Sequence, residues 1–190
     1  MQARNKGAKR NFCRSLMSIA TALVMVLLSL VPGVQVQAAN TAAVGTTTTF
    51  DEYLIMGSDA NVPNVTFTFT VTPGAAADAT ATSPRIEAGI GTPTAGTAVF
   101  GPTNNTYTTV QDNDSVTLGT NEKYAKQTVT VDFTGISFPA PGIYRYVITE
   151  AFDPVNGVAA DASATRTLDV HVRYAEGSET ELTISYYEMR

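Results

Sequence analysis

The sequence predicts an all-β fold, an immunoglobulin-like antiparallel β-sandwich. Three observations carry that expectation. Threonine, β-branched and suited to a half-wet sheet face, supplies 28 of the 152 residues from 39 to 190. Apolar residues recur there with period two, and no window shows sustained helical periodicity. Several short strands separated by turns fit a sandwich that buries one face of each sheet and wets the other.

The elements follow in order. Residues 46–56 are the predicted first strand. Residues 64–72 place Val65, Phe67, Phe69 and Val71 on one face and threonines on the other, between the breakers Pro63 and Pro73-Gly74. The Ala/Thr/Pro/Gly-rich residues 74–96 read as a long loop, followed by a short strand over 97–100. Residues 104–121 read as a polar, hairpin-like excursion. Residues 126–133 put Val129, Val131 and Phe133 on one face. Pro141-Gly142 turns the chain into a strand over 143–150. In 165–174 Leu168, Val170, Val172 and Tyr174 face inward, with Thr167, Asp169, His171 and Arg173 outward. Leu182, Ile184 and Tyr186 alternate in the last strand. No internal repeat and no second domain is apparent.

The first residues have a different character. Five of the twelve basic residues lie in the first fourteen positions, no acid precedes Asp51, and residues 16–31 are almost wholly apolar. Val36-Gln37-Ala38 then offers the small-residue spacing of a signal peptidase site. Residues 1–38 therefore read as a secretory signal peptide, 39–45 as a short linker and 46–190 as the sandwich. Residues 39–190 hold 7 basic and 17 acidic side chains, a net charge of −10. That balance argues against nucleic acid and anionic lipid as partners, since binding them needs cationic contacts. The sole cysteine, Cys13, leaves with the signal, so the exported chain is expected to have no disulfide, thiolate nucleophile or Cys metal site. No later apolar stretch is long enough to span a membrane. No cofactor or metal is expected.

Candidate chemical residues are few. His171 lies on the outward face with Asp169 and Arg173, as a solvated strand histidine would; no Gly-x-Ser-x-Gly elbow accompanies it. Asp112-Asn113-Asp114 is half of a calcium loop without its glycine or distal Glu, and reads as a solvated turn. Three Asn-x-Ser/Thr triplets begin at Asn64, Asn104 and Asn113, as chance allows in so threonine-rich a chain. Glu150 stands out, because parity places it on the face of Tyr144, Tyr146 and Ile148. A carboxyl buried among rings would have a raised pKa and could shuttle a proton. The alternative is that Glu150 ends its strand in solvent, and parity leaves both open.

The segments Thr48-Thr49-Phe50-Asp51-Glu52-Tyr53-Leu54, Pro63-Asn64-Val65-Thr66-Phe67-Thr68-Phe69 and Pro141-Gly142-Ile143-Tyr144-Arg145-Tyr146-Val147-Ile148-Thr149-Glu150 resemble the streptococcal pilin isopeptide-linkage domain, the FctA-like domain. The resemblance covers essentially all of 46–187. It implies an exported Gram-positive surface domain, used in pili and wall-anchored adhesins. It also implies an intramolecular bond between a Lys on the first strand and an Asn on the last, assisted by a buried Glu. A desolvated neutral Lys would attack an Asn carbonyl polarised by the protonated acid. Glu150 occupies the acid position. Glu52 occupies that of the reactive Lys, and a carboxylate cannot attack an amide as an amine does. The family's last strand, with its Gly-Phe-x-Asn, is not found before Arg190, and no wall-sorting signal follows.

The expectation is therefore a structural or adhesive surface domain, C-terminally incomplete, that forms no family-type bond and turns over no substrate. Lys123 and Lys126 flank another strand and match no reactive position. Glu52 shares parity with Phe50, Leu54 and Met56 and points inward toward Glu150, where two carboxyls at close range would share a proton. Alternatively the strand slips by one residue, burying Tyr53 and Ile55. The expected partners are other pilin or surface-protein domains, one of which could donate a strand to an open first-strand edge. Two other classes are a secreted module binding carbohydrate or host protein through loops 74–96 and 101–121, and a hydrolase using paired carboxylates.

Overall fold

The computed structural model describes residues 45–152, 158–159 and 164–190. The signal-peptide reading of 1–38 and linker residues 39–44 lie outside them. The described residues form nine strands and no helix: β1 (Thr47–Gly57), β2 (Val65–Pro73), β3 (Glu87–Ala88), β4 (Thr94–Ala95), β5 (Thr97–Phe100), β6 (Glu122–Asp132), β7 (Gly142–Ala151), β8 (Thr165–Tyr174) and β9 (Leu182–Met189). A small sheet has the order β1-β6-β4, and a larger one the order β5-β2-β7-β8-β9, with β3 added to β7. Apart from the parallel β3–β7 pair, every pairing is antiparallel. The sandwich expected from the period-two pattern is the observed architecture.

Alternation builds the core. In β2 every second residue from Val65 to Val71 is buried and each intervening threonine is exposed. Phe50, Val129 and Val131 of the small sheet, with Phe133 just after β6, pack against Phe67, Phe69, Tyr146 and Ile148 of the larger. Edge-on ring contacts join the two layers, Phe50 to Phe69 at 5.1 Å and Phe133 to Tyr146 at 5.0 Å. Such pairs add roughly 0.5–1.5 kcal/mol each beyond the area they bury.

Strand β1 pairs with β6 without interruption, from Thr47 opposite Asp132 to Gly57 opposite Glu122. Phe50, Glu52 and Leu54 face inward and Ile55 is 44% exposed, so the one-residue slip does not occur. Slipping would expose Phe50 and Leu54 together, which no gain from Tyr53 and Ile55 offsets.

Residues 74–96 are more structured than a loop. An Ala77–Ile86 bridge closes a hairpin, β3 continues along β7 where β2 leaves it at Pro73, and β4 pairs with β6. The chain crosses between sheets at Gly96, whose N–H donates to the Thr130 carbonyl at 2.9 Å. Tyr146 anchors this segment from the core: its hydroxyl donates to the Ile90 carbonyl at 2.8 Å and accepts from the Ile90 N–H at 3.2 Å. A side chain on Gly89 would place Cβ 2.3 Å from the Arg145 carbonyl oxygen, so the close approach requires glycine.

The last two strands depart from simple parity. The β8–β9 register shifts between His171 and Val172. The resulting bulge buries both Ile184 and Ser185, leaves Tyr186 46% exposed, and turns Tyr187 toward Phe133 at 5.5 Å. Tyr186 is therefore not an inward residue, and neither is Tyr174, which is exposed at the strand end. The outward face of β8 is not uniformly wet. Asp169 is fully buried and takes a two-pronged hydrogen bond from Arg145, opposite it on β7, at 2.8 and 2.7 Å.

Replacing Phe133 by Ala is expected to cost about 3–5 kcal/mol of unfolding free energy, against less than about 0.5 kcal/mol for Val99→Thr on the exposed face. Urea denaturation of the two variants checks the ranking. Tyr146→Phe is expected to lose about 1–2 kcal/mol, because it strips both partners from Ile90; faster amide exchange at residue 90 marks the cause.

Candidate functional site

The inward parity of β1 delivers a carboxylate to the sandwich interior. Glu52 is 5% exposed, and its Oε2 lies 3.6 Å from Nη2 of Arg166 at the start of β8. The Arg166 guanidinium also stands 5.8 Å from the Phe50 ring centroid, a cation over an aromatic face. Glu150, at the end of β7, is half-buried rather than enclosed by Tyr144 and Tyr146, and its N–H donates to the Ala164 carbonyl at 2.8 Å. Glu52, Glu150, Arg166 and Phe67 share one groove of about 890 Å³, whose sides are β1 from Glu52 to Gly57, residues 115–117, and Val158 and Ala159. No β6 residue lines it, so the groove flanks the side of β1 that faces away from β6.

Arg166 was not among the residues singled out in the sequence. A signal for it existed: it shares parity with Leu168, Val170 and Val172, and an arginine on a core-facing parity calls for an acidic partner.

The outer face of the β1–β6 pair carries a second cluster. Tyr124 is fully buried although it faces away from the core, because residues 107–117 fold over it. Its ring lies 5.3 Å from Tyr107 and 5.9 Å from Tyr53. Asp114, its side chain 1% exposed, receives hydrogen bonds from the Tyr124 hydroxyl and the Lys126 ammonium, each at 2.5 Å. Lys126 also lies 3.6 Å from Asp51. The Lys126 ammonium, then the Tyr124 hydroxyl, hold the Asp114 carboxyl below its ordinary pKa, and the same contact raises that of Lys126. Asp112-Asn113-Asp114 is thus not simply a solvated turn: Asp114 is an internal anchor, and Asn113 takes the left-handed conformation, φ 70°, that turns the chain toward it. The excursion expected over 104–121 is a cover for the sheet.

His171 also differs from its expected solvated state. Its ring stacks on Tyr186 at 3.7 Å and its side chain is 14% exposed, with Nε2 3.5 Å from Glu188. Burial lowers its pKa, partly opposed by Glu188. Among the described residues, no group of three or more His, Cys, Asp or Glu is placed to hold a metal ion, and no helix is long and apolar enough to cross a membrane.

Residues 46–188 match the family described as the Spy0128-like isopeptide containing domain, FctA. The chain belongs to that family. Among solved structures it is similar to the major pilin of Streptococcus pyogenes, at 23% identity and a TM-score of 0.49 over 77% of this chain and 46% of that one. The T-13 major pilin of the same organism gives 22% identity and a TM-score of 0.48 over 80% of this chain and 48% of the other. The chain thus spans about half the length of those pilins. A comparison with curated proteins found no match.

Lys126 and the buried carboxylate Glu52 lie on opposite faces of the small sheet. The only lysines among the described residues are Lys123 and Lys126. Lys126 lies opposite Tyr53, on the sheet face away from Glu52, with Asp114 and Asp51 around it. Among the described residues, the groove holding Glu52 and Glu150 is lined by Arg166 and by no lysine.

Asp114→Asn is expected to destabilise the domain at neutral pH. Because the folded pKa of Asp114 is lowered, its contribution is present above the ordinary carboxylate range, near about pH 4, and is lost as pH falls below it. Urea midpoints against pH should show the gap between native protein and variant closing on acidification. A gap independent of pH would contradict the ion pair.

Proposed function

We propose that this domain is a structural module of a Gram-positive surface assembly, exported from the cell and working alongside other pilin or surface-protein domains. The observation that carries the reading is the family match over residues 46–188, which takes in all nine described strands except the last residue of β9. The expected activity is mechanical and adhesive, without turnover of a substrate. The expected cell address is the surface, reached through a signal peptide at 1–38.

The family-type Lys–Asn cross-link is proposed not to form here. Supporting this, Glu52, which the resemblance sets at the reactive-lysine position, is buried with Arg166 beside it. Glu150, which the resemblance sets at the acid position, lines the groove beside Glu52. The arrangement exchanges a covalent clamp for a polar contact between β1 and β8. The binding-module alternative gains little, because residues 107–117 are committed to covering Tyr124 and the 74–96 segment is anchored by Tyr146.

Two measurements test the reading. Antibody against the folded domain should label the surface of intact producing cells; label found only after lysis would overturn the surface assignment. Intact-mass analysis of the purified protein should give the full sequence mass of the processed chain. A deficit of one ammonia, abolished by Glu150→Ala, would show that a family-type bond forms after all.

A further inference from the structure

Residues 107–117 lie over the outer face of the β1–β6 pair without joining either sheet. No strand forms between Phe100 and Glu122, and within 107–117 all residues but Tyr107, Asp114 and Val116 are exposed, Val110 at 45%. The segment therefore brings little apolar area to its own closure. Among the described residues, its backbone attachment to the sheet is the Tyr107–Tyr124 bridge, N–H to carbonyl in both directions at 2.8 and 3.0 Å. The other fastenings use side chains. The Gln111 N–H donates to the Tyr124 hydroxyl at 3.0 Å, and the Ser115 N–H to the Tyr53 hydroxyl at 3.2 Å. The Tyr124 hydroxyl and the Lys126 ammonium donate to Asp114.

Most of these fastenings meet at one point. The Tyr124 hydroxyl links Gln111 to Asp114, and Asp114 links that hydroxyl to Lys126. Asp114 is the buried charge of the segment, whereas Asp112 is exposed. The charged and titratable groups around the Asp114 carboxyl are Asp51 and Tyr53 from β1, Tyr124 and Lys126 from β6, and Tyr107 and Asp112 of the segment itself. Charge-assisted hydrogen bonds are roughly twice as strong as neutral ones, so the carboxylate outweighs the neutral contacts beside it. Segments with few buried apolar contacts open at a lower free energy than the whole fold.

We propose that residues 107–117 form a strap that opens as a unit while the sandwich stays folded, and that the Asp114 carboxylate is the latch that holds it shut. Opening bares the rings of Tyr53 and Tyr124 and releases Lys126 from Asp114. The outer face of the small sheet then changes from a covered surface to an aromatic one that carries a cation. Acid is the release. The Lys126 ammonium, then the Tyr124 hydroxyl, lower the Asp114 pKa. The latch is therefore intact above the ordinary carboxylate value, near about pH 4, and is lost as pH falls through the lower folded value. The strap is a property of this sheet and holds whether or not the domain works at a cell surface.

Native-state hydrogen exchange on the purified protein tests both parts. The amides of Gln111, Asp114 and Ser115 are each hydrogen-bonded when the strap is shut. At neutral pH they should share one opening equilibrium, at least about tenfold more populated than the opening of the core amides of Val131 and Ile148, and nearly independent of low urea. Asp114→Asn should raise that population by about tenfold or more. Asp112→Asn, which changes an exposed acid of the same segment, should leave it unchanged. Exchange of the three amides only together with Val131 and Ile148 would overturn the strap, and unaltered exchange in Asp114→Asn would overturn the latch. If Asp114→Asn does not fold, acidification of the unchanged protein decides. Gln111, Asp114 and Ser115 should lose protection below about pH 4 while Val131 and Ile148 keep theirs. Loss of protection at all five amides at one pH overturns the proposal.

Discussion

The interlock of Phe50, Val129, Val131 and Phe133 with Phe67, Phe69, Tyr146 and Ile148 is the contact on which the rest of the molecule depends. The small sheet contains one long strand pair and a two-residue strand, and an isolated pair of strands is marginal in water. It persists because its inner face is the lid of a core shared with the larger sheet. Everything functional in β1 inherits its position from that packing. Glu52 points into the interior because Phe50 and Leu54, two residues to either side, must do so.

Both faces of the small sheet are thereby covered, the inner by the core and the outer by residues 107–117. The outer cover is held by polar chemistry, with Asp114 accepting from Tyr124 and Lys126 over a floor of tyrosine rings. This commits Lys126 to the outer face, while Glu52, Glu150 and Arg166 line the groove. An ion pair between β1 and β8 joins the two sheets beside the aromatic interlock.

Burial also explains which polar residues became structural. Asp169 and His171 lie on the face that alternation marks as wet, yet Arg145 covers the first and Tyr186 the second. Both contacts come from neighbouring strands, and the second exists only because of the bulge at His171. A strand's own pattern predicts which way a side chain points; what then covers it depends on the strand paired alongside.

The chain by itself determined the sandwich, most strand positions, the inward set of β2, β6 and β7, and the inward parity of Glu52. These depend on local alternation, which a sequence displays directly because successive strand side chains point to opposite faces. Tertiary structure decided the register of β1, the short strands within 74–96, the bulge that reverses Tyr186 and Tyr187, and the roles of Arg166 and Asp114. Arg166 meets Glu52 across more than a hundred residues, and Asp114 is drawn inward by a tyrosine ten residues later on a paired strand. Alternation within a strand carries no information about which distant strand becomes its neighbour, and those choices follow from how two complete sheets bury the largest shared apolar surface.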